Sequence, residues 1–436
     1  MLSLNEQESK YRIACSSKSA LKSAPKSTEQ PMRSLLTIEA RNFMSLQSVS
    51  VDLQELSVLV GTNGAGKSNL LKVIQFLGDT ARLDLGPAID NHGGFDRIFF
   101  RGGKQASNIV QLRLVGLFTK NSSISAPDEY QLSFRQQLSL NSAVRFSHRM
   151  EDFVFKRTAG RGRRISVSGS KVGIEETGSK KPAQRQLSLS NASSGLSTLP
   201  RLGKGEGGEQ ISALSDLLTT FRVFEVNVDR ARRPSVGVDG DASNSAVVLN
   251  SNASNIAAFL QWLEHAHEDV FDQYQEDLAA IAPSVKKVRI KKIGGVHESA
   301  VAIQLEERGV KGLTNLSEAS FGTVRAMGLL AMLHDPRPPR LTCVEEIDHG
   351  LHPHALDRIV ERLRDASKRT QLLVVTHSPA LANRLSPKEL IVCERDYDSG
   401  ASKIPAIDAA TVAAMVDASQ LSLGELWFSG ALGGGL

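Results

Sequence analysis

Apolar and polar residues alternate from Leu35 to Ala40 and again from Val49 to Leu53, then give way to an apolar run at Leu56–Val60 that stops at Gly61. Period-two alternation predicts half-buried strands, and a short apolar run bounded by glycine predicts a buried one. The first two segments read as a hairpin. A helix is predicted from about Lys67 to Leu77, and strand-like alternation returns at Ile109–Phe118 and Tyr130–Leu138. Ile256, Phe259, Leu260 and Leu263 recur at spacings of three and four, so Ser254–Ala282 reads as helical. Val285–Ile293 reads as a strand loaded with Lys286, Lys287, Arg289, Lys291 and Lys292. From Ser320 onward helical and strand patterns alternate, the pattern of parallel α/β units.

Two stretches carry no such period. Residues 1–33 are rich in Ser, Lys, Gln and Pro and read as a disordered tail, with Met32 as an alternative start. Residues 156–204 hold eleven Lys or Arg, two acids and few large apolar side chains. That composition predicts a flexible insertion, because it offers too little apolar surface to bury. No heptad repeat is sustained enough for a coiled coil, and no internal repeat of fixed period is visible.

The 436 residues imply two or three folding units or one core with an insertion, and 41% hydrophobic with 23% charged residues is ordinary for a soluble protein. The longest apolar runs, such as Leu329–Leu333 and Gln371–Val375, fall far short of the ~20 residues a membrane span needs. The N-terminal lysines are followed by no apolar signal region. Cys15, Cys343 and Cys393 are scattered, which suits free thiols in a reducing cytoplasm. A formal charge of +5 permits an acidic partner such as DNA without requiring one.

The chemistry concentrates at two places. Gly61-Thr62-Asn63-Gly64-Ala65-Gly66-Lys67-Ser68 matches G-x-x-x-x-G-K-[ST] between a buried strand and a helix. Glycines there let backbone N–H groups turn toward phosphates, and the helix N-terminus adds partial positive charge. Lys67 is expected at the β- and γ-phosphates and Ser68 at Mg²⁺. Leu341-Thr342-Cys343-Val344 is an apolar strand that ends in Glu345-Glu346. Neighbouring strand residues face opposite ways, so the two carboxylates have different tasks: Glu345 toward the metal shell, Glu346 toward the attacking water.

The order of motifs resembles the ABC-type ATPases of the RecF/OLD group, the RecF-like class of AAA-family proteins. It rests on Gly61–Ser68, on Ser320-Phe321-Gly322-Thr323-Val324-Arg325, on Glu345–Pro353 and on Val374-Val375-Thr376-His377-Ser378-Pro379. It covers roughly residues 35–120 and 250–436, and the closing Leu423–Gly430 also looks like the end of stand-alone members. The resemblance implies an α/β P-loop NTPase with a mixed-sheet core, an antiparallel β lobe and a helical lobe. It implies ATP and Mg²⁺ as ligands, held by Gly61, Asn63, Gly64, Gly66, Lys67 and Ser68, with Ser68 and Glu345 on the metal. Ser320 and Gly322 look like the signature that grips ATP on an opposite subunit, His349–Pro353 like the D-loop, and His377 like the switch histidine. Catalysis then falls to Glu346, His377 and Lys67.

This gives a division into a tail (1–33), the first half of an ATPase head (34–145), a basic insertion (146–210), a helical lobe with the basic strand (211–310) and the second half of the head (311–436). It implies a homodimer with ATP between the chains and, by analogy with stand-alone relatives, a separately encoded nuclease or effector in anti-phage defence. Alternatives are a DNA-repair ATPase that binds DNA, as RecF does, and a non-hydrolysing ATP-gated scaffold. SMC-type cohesion is disfavoured by the missing long coiled-coil arms. Two departures stand out. Glu345 occupies a position that usually holds Asp, and neither Gln105 nor Gln111 is singled out as the Q-loop residue. His352 and His354 lack acids or cysteines at metal-ligand spacing. Asp396-Tyr397-Asp398 resembles a TOPRIM DxD, but too little chain follows it for that domain, so it reads as a surface hairpin.

Overall fold

The computed structural model describes residues 33–103, 108–137, 145–157, 160–176, 185–189, 193–203, 206–237, 247–294 and 300–432. The expected tail, apart from Arg33, lies outside them, as does Gln105.

The chain begins with β1 (Leu35–Phe43), β2 (Leu46–Asp52) and β3 (Leu56–Gly61), followed by α1 (Lys67–Leu83), α2 (Leu85–Asn91) and α3 (Phe95–Ile98). β1 and β2 form the expected antiparallel hairpin, Ile38 opposite Val51. Six more strands extend β1 in antiparallel order: β4 (Val110–Gly116), β5 (Asp128–Gln137), β6 (Arg145–Phe155), β7 (Arg163–Ser168), β8 (Lys171–Glu176) and β9 (Arg185–Ser188). The short α4 (Gly195–Thr198) and α5 (Gly208–Thr220) then pack on α1.

The strands β7 and β8 overturn the reading of residues 156–204 as flexible over the stretch they occupy. Ile165 pairs with Ile174 and Val167 with Val172, all four buried, while Ser166, Ser168 and Lys171 face outward or stand at the turn. The stretch is poor in apolar residues on average, yet it places them at every second position. One face of a hairpin needs no more than that when a neighbouring sheet is already there to extend.

The second layer holds β10 (Arg222–Phe224), α6 (Val228–Ala231), β11 (Ser235–Val236), α7 (Ile256–Ala266), α8 (Glu268–Ile281), β12 (Val285–Ile293), β13 (Ala300–Glu307) and β14 (Leu313–Asn315). β12 runs along one side of β13, and β11 and β14 pair with the other. The chain closes with α9 (Phe321–Leu333), β15 (Leu341–Val344), α10 (Pro353–Ser367), β16 (Gln371–Thr376), α11 (Pro379–Ala382), β17 (Leu390–Arg395), β18 (Ser402–Lys403), α12 (Ala409–Ser419) and α13 (Leu423–Phe428).

A central sheet of order β10-β15-β16-β3-β17 is parallel, with β18 antiparallel at its edge. β3, β15 and β16 are buried along their whole length, as expected of a parallel sheet covered on both faces. Their side chains feed two cores by alternation. Val58, Val60, Val344, Leu372 and Val374 pack with the helical lobe, while Leu59, Cys343, Leu373 and Val375 pack with α1 and the antiparallel sheet. The buried Gln371 joins the two sheets: its side chain accepts from Leu35 N–H at 2.8 Å and donates to the carbonyls of Leu35 and Gln54 at 2.7 and 2.9 Å.

Candidate functional site

Three motif-bearing strands lie side by side in the central sheet. β16 pairs in parallel with β3 on one side and β15 on the other, with Thr376 level with Val60 and Val374 level with Val344. The residues that follow, Gly61, Glu345–Glu346 and His377, therefore leave the same sheet edge. In open α/β sheets, ligands bind beyond the carboxyl ends of such strands.

The loop after β3 turns through Gly64 at φ +80° and Gly66 at φ +96°, conformations that cost a side-chain-bearing residue strain. Asn63 and Gly64 are exposed at its tip. Gly66 caps the 17-residue α1 with no side-chain bond, and the first turn carries no acid. The N-terminal N–H groups of α1 are thus left without a side-chain acceptor, which is a cradle for an anion. Lys67 is 3% exposed, and Nζ donates at 2.8 Å to the carbonyls of both Gly61 and Thr62. Burial lowers its pKa to about 8, and the neighbouring Cys393 pulls the other way. A buried ammonium bonded only to neutral carbonyls is short of a counter-charge, so these residues fit a polyphosphate.

Glu346 has an exposed carboxylate and a left-handed backbone, φ +49°. Its Oε2 stands 3.3 Å from Nδ1 of His349. Glu345 is half-buried and lines a cavity of about 340 Å³ with Leu71, Lys72 and Gln75 of α1. Lys72 and Gln75 follow Ser68 by four and seven positions, so Glu345 stands beside the α1 face that begins with Ser68. Glu225 lines the same cavity.

His377 is brought to the phosphate loop. It hydrogen-bonds the Gly61 backbone, and its pKa is lowered by burial and by the Lys67 cation, against the Glu346 and Asp348 carboxylates. Asp348 in turn accepts from the Thr376 hydroxyl. His377, Lys67, Glu346 and Gly61 thus share one electrostatic environment.

Ser320 and Gly322 meet a different surface. Ser320 is exposed and caps α9, accepting from Thr323 N–H at 3.1 Å. Both line a cleft of about 220 Å³ with Gly350, Leu351 and His352. The contact is close: a Cβ on Gly322 would lie 2.6 Å from the Gly350 carbonyl oxygen. Their neighbours in this chain are therefore the residues after Glu346. His352 caps α10 and stacks on His354, ring centroids 5.1 Å apart.

A family model described as "AAA domain, putative AbiEii toxin, Type IV TA system" matches residues 56–383, well over half of the chain. The chain belongs to this family. It is an AAA/ABC-type ATPase of the RecF-like kind, and its fold is that of a P-loop NTPase. Among solved structures it is similar to an SMC head bound to the C-terminal winged-helix domain of ScpA, at 13% identity and TM-score 0.52, over 85% of this chain and 96% of that one. It is also similar to a Pyrococcus furiosus SMC head with an extended coiled coil bound to the ScpA C-terminal domain, at 12% identity and TM-score 0.50, over 89% and 100%. At such identities the likeness concerns the fold alone. No curated protein matches the chain.

Several groups around this ATPase's site carry no sequence signal. Arg325 lies on α9 with its guanidinium buried, and Nη2 donates to the Glu346 carbonyl at 2.6 Å. Asn69 follows Ser68 and donates to Ser45 Oγ at 2.7 Å, on the β1–β2 turn. Arg395, at the end of β17, donates to the Gly64 carbonyl at 3.1 Å. Only the motif neighbourhood of Arg325 pointed its way. Gln111 sits mid-strand in β4, opposite Arg41 and Ser133. Among the described residues no helix is long and apolar enough to cross a membrane.

Proposed function

We propose that the protein is an ATP-hydrolysing molecular switch that closes as a homodimer on ATP. The observation that carries this reading is the convergence of Lys67, His377 and Glu346 on one sheet edge, next to the uncapped N-terminus of α1. In this reading Gly61, Asn63, Gly64 and Gly66 present backbone N–H groups to the phosphates, and Lys67 holds the β- and γ-phosphates. Mg²⁺, when bound through Ser68 and Glu345, supplies charge neutralisation between the phosphates. Glu346 orients water for in-line attack, helped by its exposed carboxylate and by a backbone already turned out of the strand. His377, kept neutral by burial beside Lys67, senses the γ-phosphate side of the loop.

The dimer in this reading rests on Ser320 and Gly322. Ser320 is exposed and Gly322 half-buried against Gly350, and in this reading the pair completes a site on a second chain. One switch cycle is then closure on ATP and opening after hydrolysis, read out by a separate nuclease or effector of anti-phage type.

The test compares wild type with Glu346→Gln in Mg²⁺-ATP, following turnover and mass by light scattering. Turnover in the wild type, with ATP trapped in a stable dimer of the variant, is the expected result. ATP bound by both proteins with neither turnover nor dimer would leave the ATP-gated scaffold.

A second reading, contact with DNA, rests on β12. Lys286, Lys287, Arg289, Lys291 and Lys292 are exposed on a strand that, among the described residues, pairs with another strand on one side only, with Arg289 paired to Glu306 at 3.4 Å. Such a stripe suits a phosphate backbone, in a salt-sensitive mode without base reading. Duplex binding that weakens steeply with salt and disappears in a Lys287→Glu/Lys291→Glu variant would support it. Equal binding by that variant would remove β12 from the account.

A further inference from the structure

The β17–β18 hairpin reaches the phosphate loop from the far end of the chain. Arg395 donates from Nη1 to the Gly64 carbonyl at 3.1 Å, at the exposed tip of the loop. Farther along the hairpin, the Ser402 hydroxyl meets Ser45 Oγ at 2.6 Å, and the Ser402 N–H donates to the Ser45 carbonyl at 2.8 Å. That hydroxyl also fills the space beside Gly66, 2.0 Å from where a Cβ would stand. The hairpin turn is braced from within: Asp396 accepts from the N–H groups of Asp398 and Ser399 and pairs with Lys403 at 3.3 Å. Arg395 is thus carried on a stiff support that touches the loop at two points.

Beside this contact lies a cavity of about 840 Å³, lined by Ser45, Asn69, Lys72, Arg97, Arg101 and Arg395, among others. That volume lies within the ~300–1,000 Å³ range of small-molecule sites. Among the described residues, none of Lys72, Arg97, Arg101 and Arg395 forms an ion pair. Four cations around one space, with no acid paired to them, call for an anionic occupant. Arg395 has the closest tie to the loop, and its planar fork of five N–H donors commits one to Gly64.

We propose that Arg395 is a nucleotide-binding residue supplied in cis by the hairpin, a second cation besides Lys67 for the phosphate chain of a nucleoside triphosphate. The proposal rests on the reading of Gly61–Ser68 as the nucleotide site. Anchored on Gly64, the guanidinium keeps further donors for phosphate oxygens on the cavity side, and it steadies the loop tip while doing so. It is a binding group, not a group that moves a proton, so its removal acts on affinity before turnover.

The test is calorimetric titration of Mg²⁺-ATP into wild type, Arg395→Gln and Arg395→Lys, with the melting temperature of each nucleotide-free protein alongside. Loss of a charge-assisted bond predicts that Arg395→Gln weakens ATP binding about tenfold or more, with KM raised by a similar factor and kcat held within about threefold. Arg395→Lys should recover part of the affinity, since it keeps the charge and loses the fork. Melting temperatures should agree within about 2 °C. Wild-type affinity in Arg395→Gln, or a loss matched by a lowered melting temperature, overturns the proposal and leaves a structural arginine. A wild type that binds no ATP overturns the nucleotide reading itself, a failure visible in the wild-type titration alone.

Discussion

Arg325 donates from Nη2 to the Glu346 carbonyl at 2.6 Å. The bond joins the first turns of α9, which begin at Ser320, to the residue whose backbone adopts φ +49° at the end of β15. A left-handed non-glycine residue costs on the order of 1–2 kcal/mol, and such strain persists only where surrounding contacts hold it. The guanidinium, buried and with its pKa lowered by desolvation against the Glu346, Asp348 and Glu225 charges, also reaches the Val226 carbonyl at 3.4 Å. Arg325→Lys keeps the charge but cannot span both carbonyls. Turnover is expected to fall by roughly tenfold or more while ATP affinity changes by less than about threefold. Parallel losses in both would show that the bond maintains the fold rather than the Glu346 geometry.

Nucleotide affinity should depend on pH through Lys67. In the free protein its pKa is lowered from 10.5 to about 8, so above pH 8 the free side chain is largely neutral. Phosphate favours the ammonium, so binding above pH 8 must take up a proton, and affinity should decline between pH 7 and 9. Stability of the nucleotide-free protein should move the other way. Between about 8 and 10.5 the unfolded chain binds the extra proton, so this residue's contribution makes stability rise with pH across that window. Calorimetry in buffers of different ionisation enthalpy measures the uptake directly. Affinity and proton count that stay flat from pH 7 to 9 would contradict this assignment.

Gly64 and Gly66 separate strain from crowding. Both have positive φ, but a Cβ on Gly64 meets nothing within 4 Å, whereas one on Gly66 falls 2.0 Å from Ser402 Oγ. Gly64→Ala should therefore cost only the ~1–2 kcal/mol of left-handed strain. Gly66→Ala should cost more, because the loop or the hairpin must also give way, and Ser402→Gly should return part of the difference. Denaturant unfolding of wild type, Gly66→Ala, Ser402→Gly and the double variant gives the coupling, and additive effects would mean that the hairpin yields freely.

Asp277 gathers three elements of the helical lobe. On α8, its Oδ2 accepts from His334 Nε2 at 2.7 Å at the end of α9, and Arg358 and Arg362 of α10 approach to 3.5 Å. Asp277→Ala leaves the buried His334 ring without its acceptor, while Arg358 and Arg362 keep Glu361 and Asp365 at 2.8–3.1 Å, so it should destabilise by about 1–3 kcal/mol. Denaturant midpoints measure it. A change under about 0.5 kcal/mol would show that solvent takes over the bonds.

What was legible in the sequence was local. The phosphate loop needs consecutive residues of fixed type, so Gly61–Ser68 declared itself, and a strand ending in Glu345-Glu346 did so by contrast with the apolar run before it. The parallel sheet followed from the alternation of helical and strand patterns after Ser320. The β7–β8 hairpin was missed because composition averages over the alternation of Ile165, Val167, Val172 and Ile174, and alternation is what a strand added to an existing sheet requires. The rest belongs to tertiary structure. The lowered pKa of Lys67 comes from burial, and that of His377 from burial and from the Lys67 cation, which folding brings close to it. The hold of Arg325 on Glu346 spans 21 positions, and that of Arg395 on Gly64 spans 331. Sequence sets the backbone's local preferences. Only chain folding sets which distant donor meets a given carbonyl, because that depends on how the two cores pack against the opposite faces of one sheet.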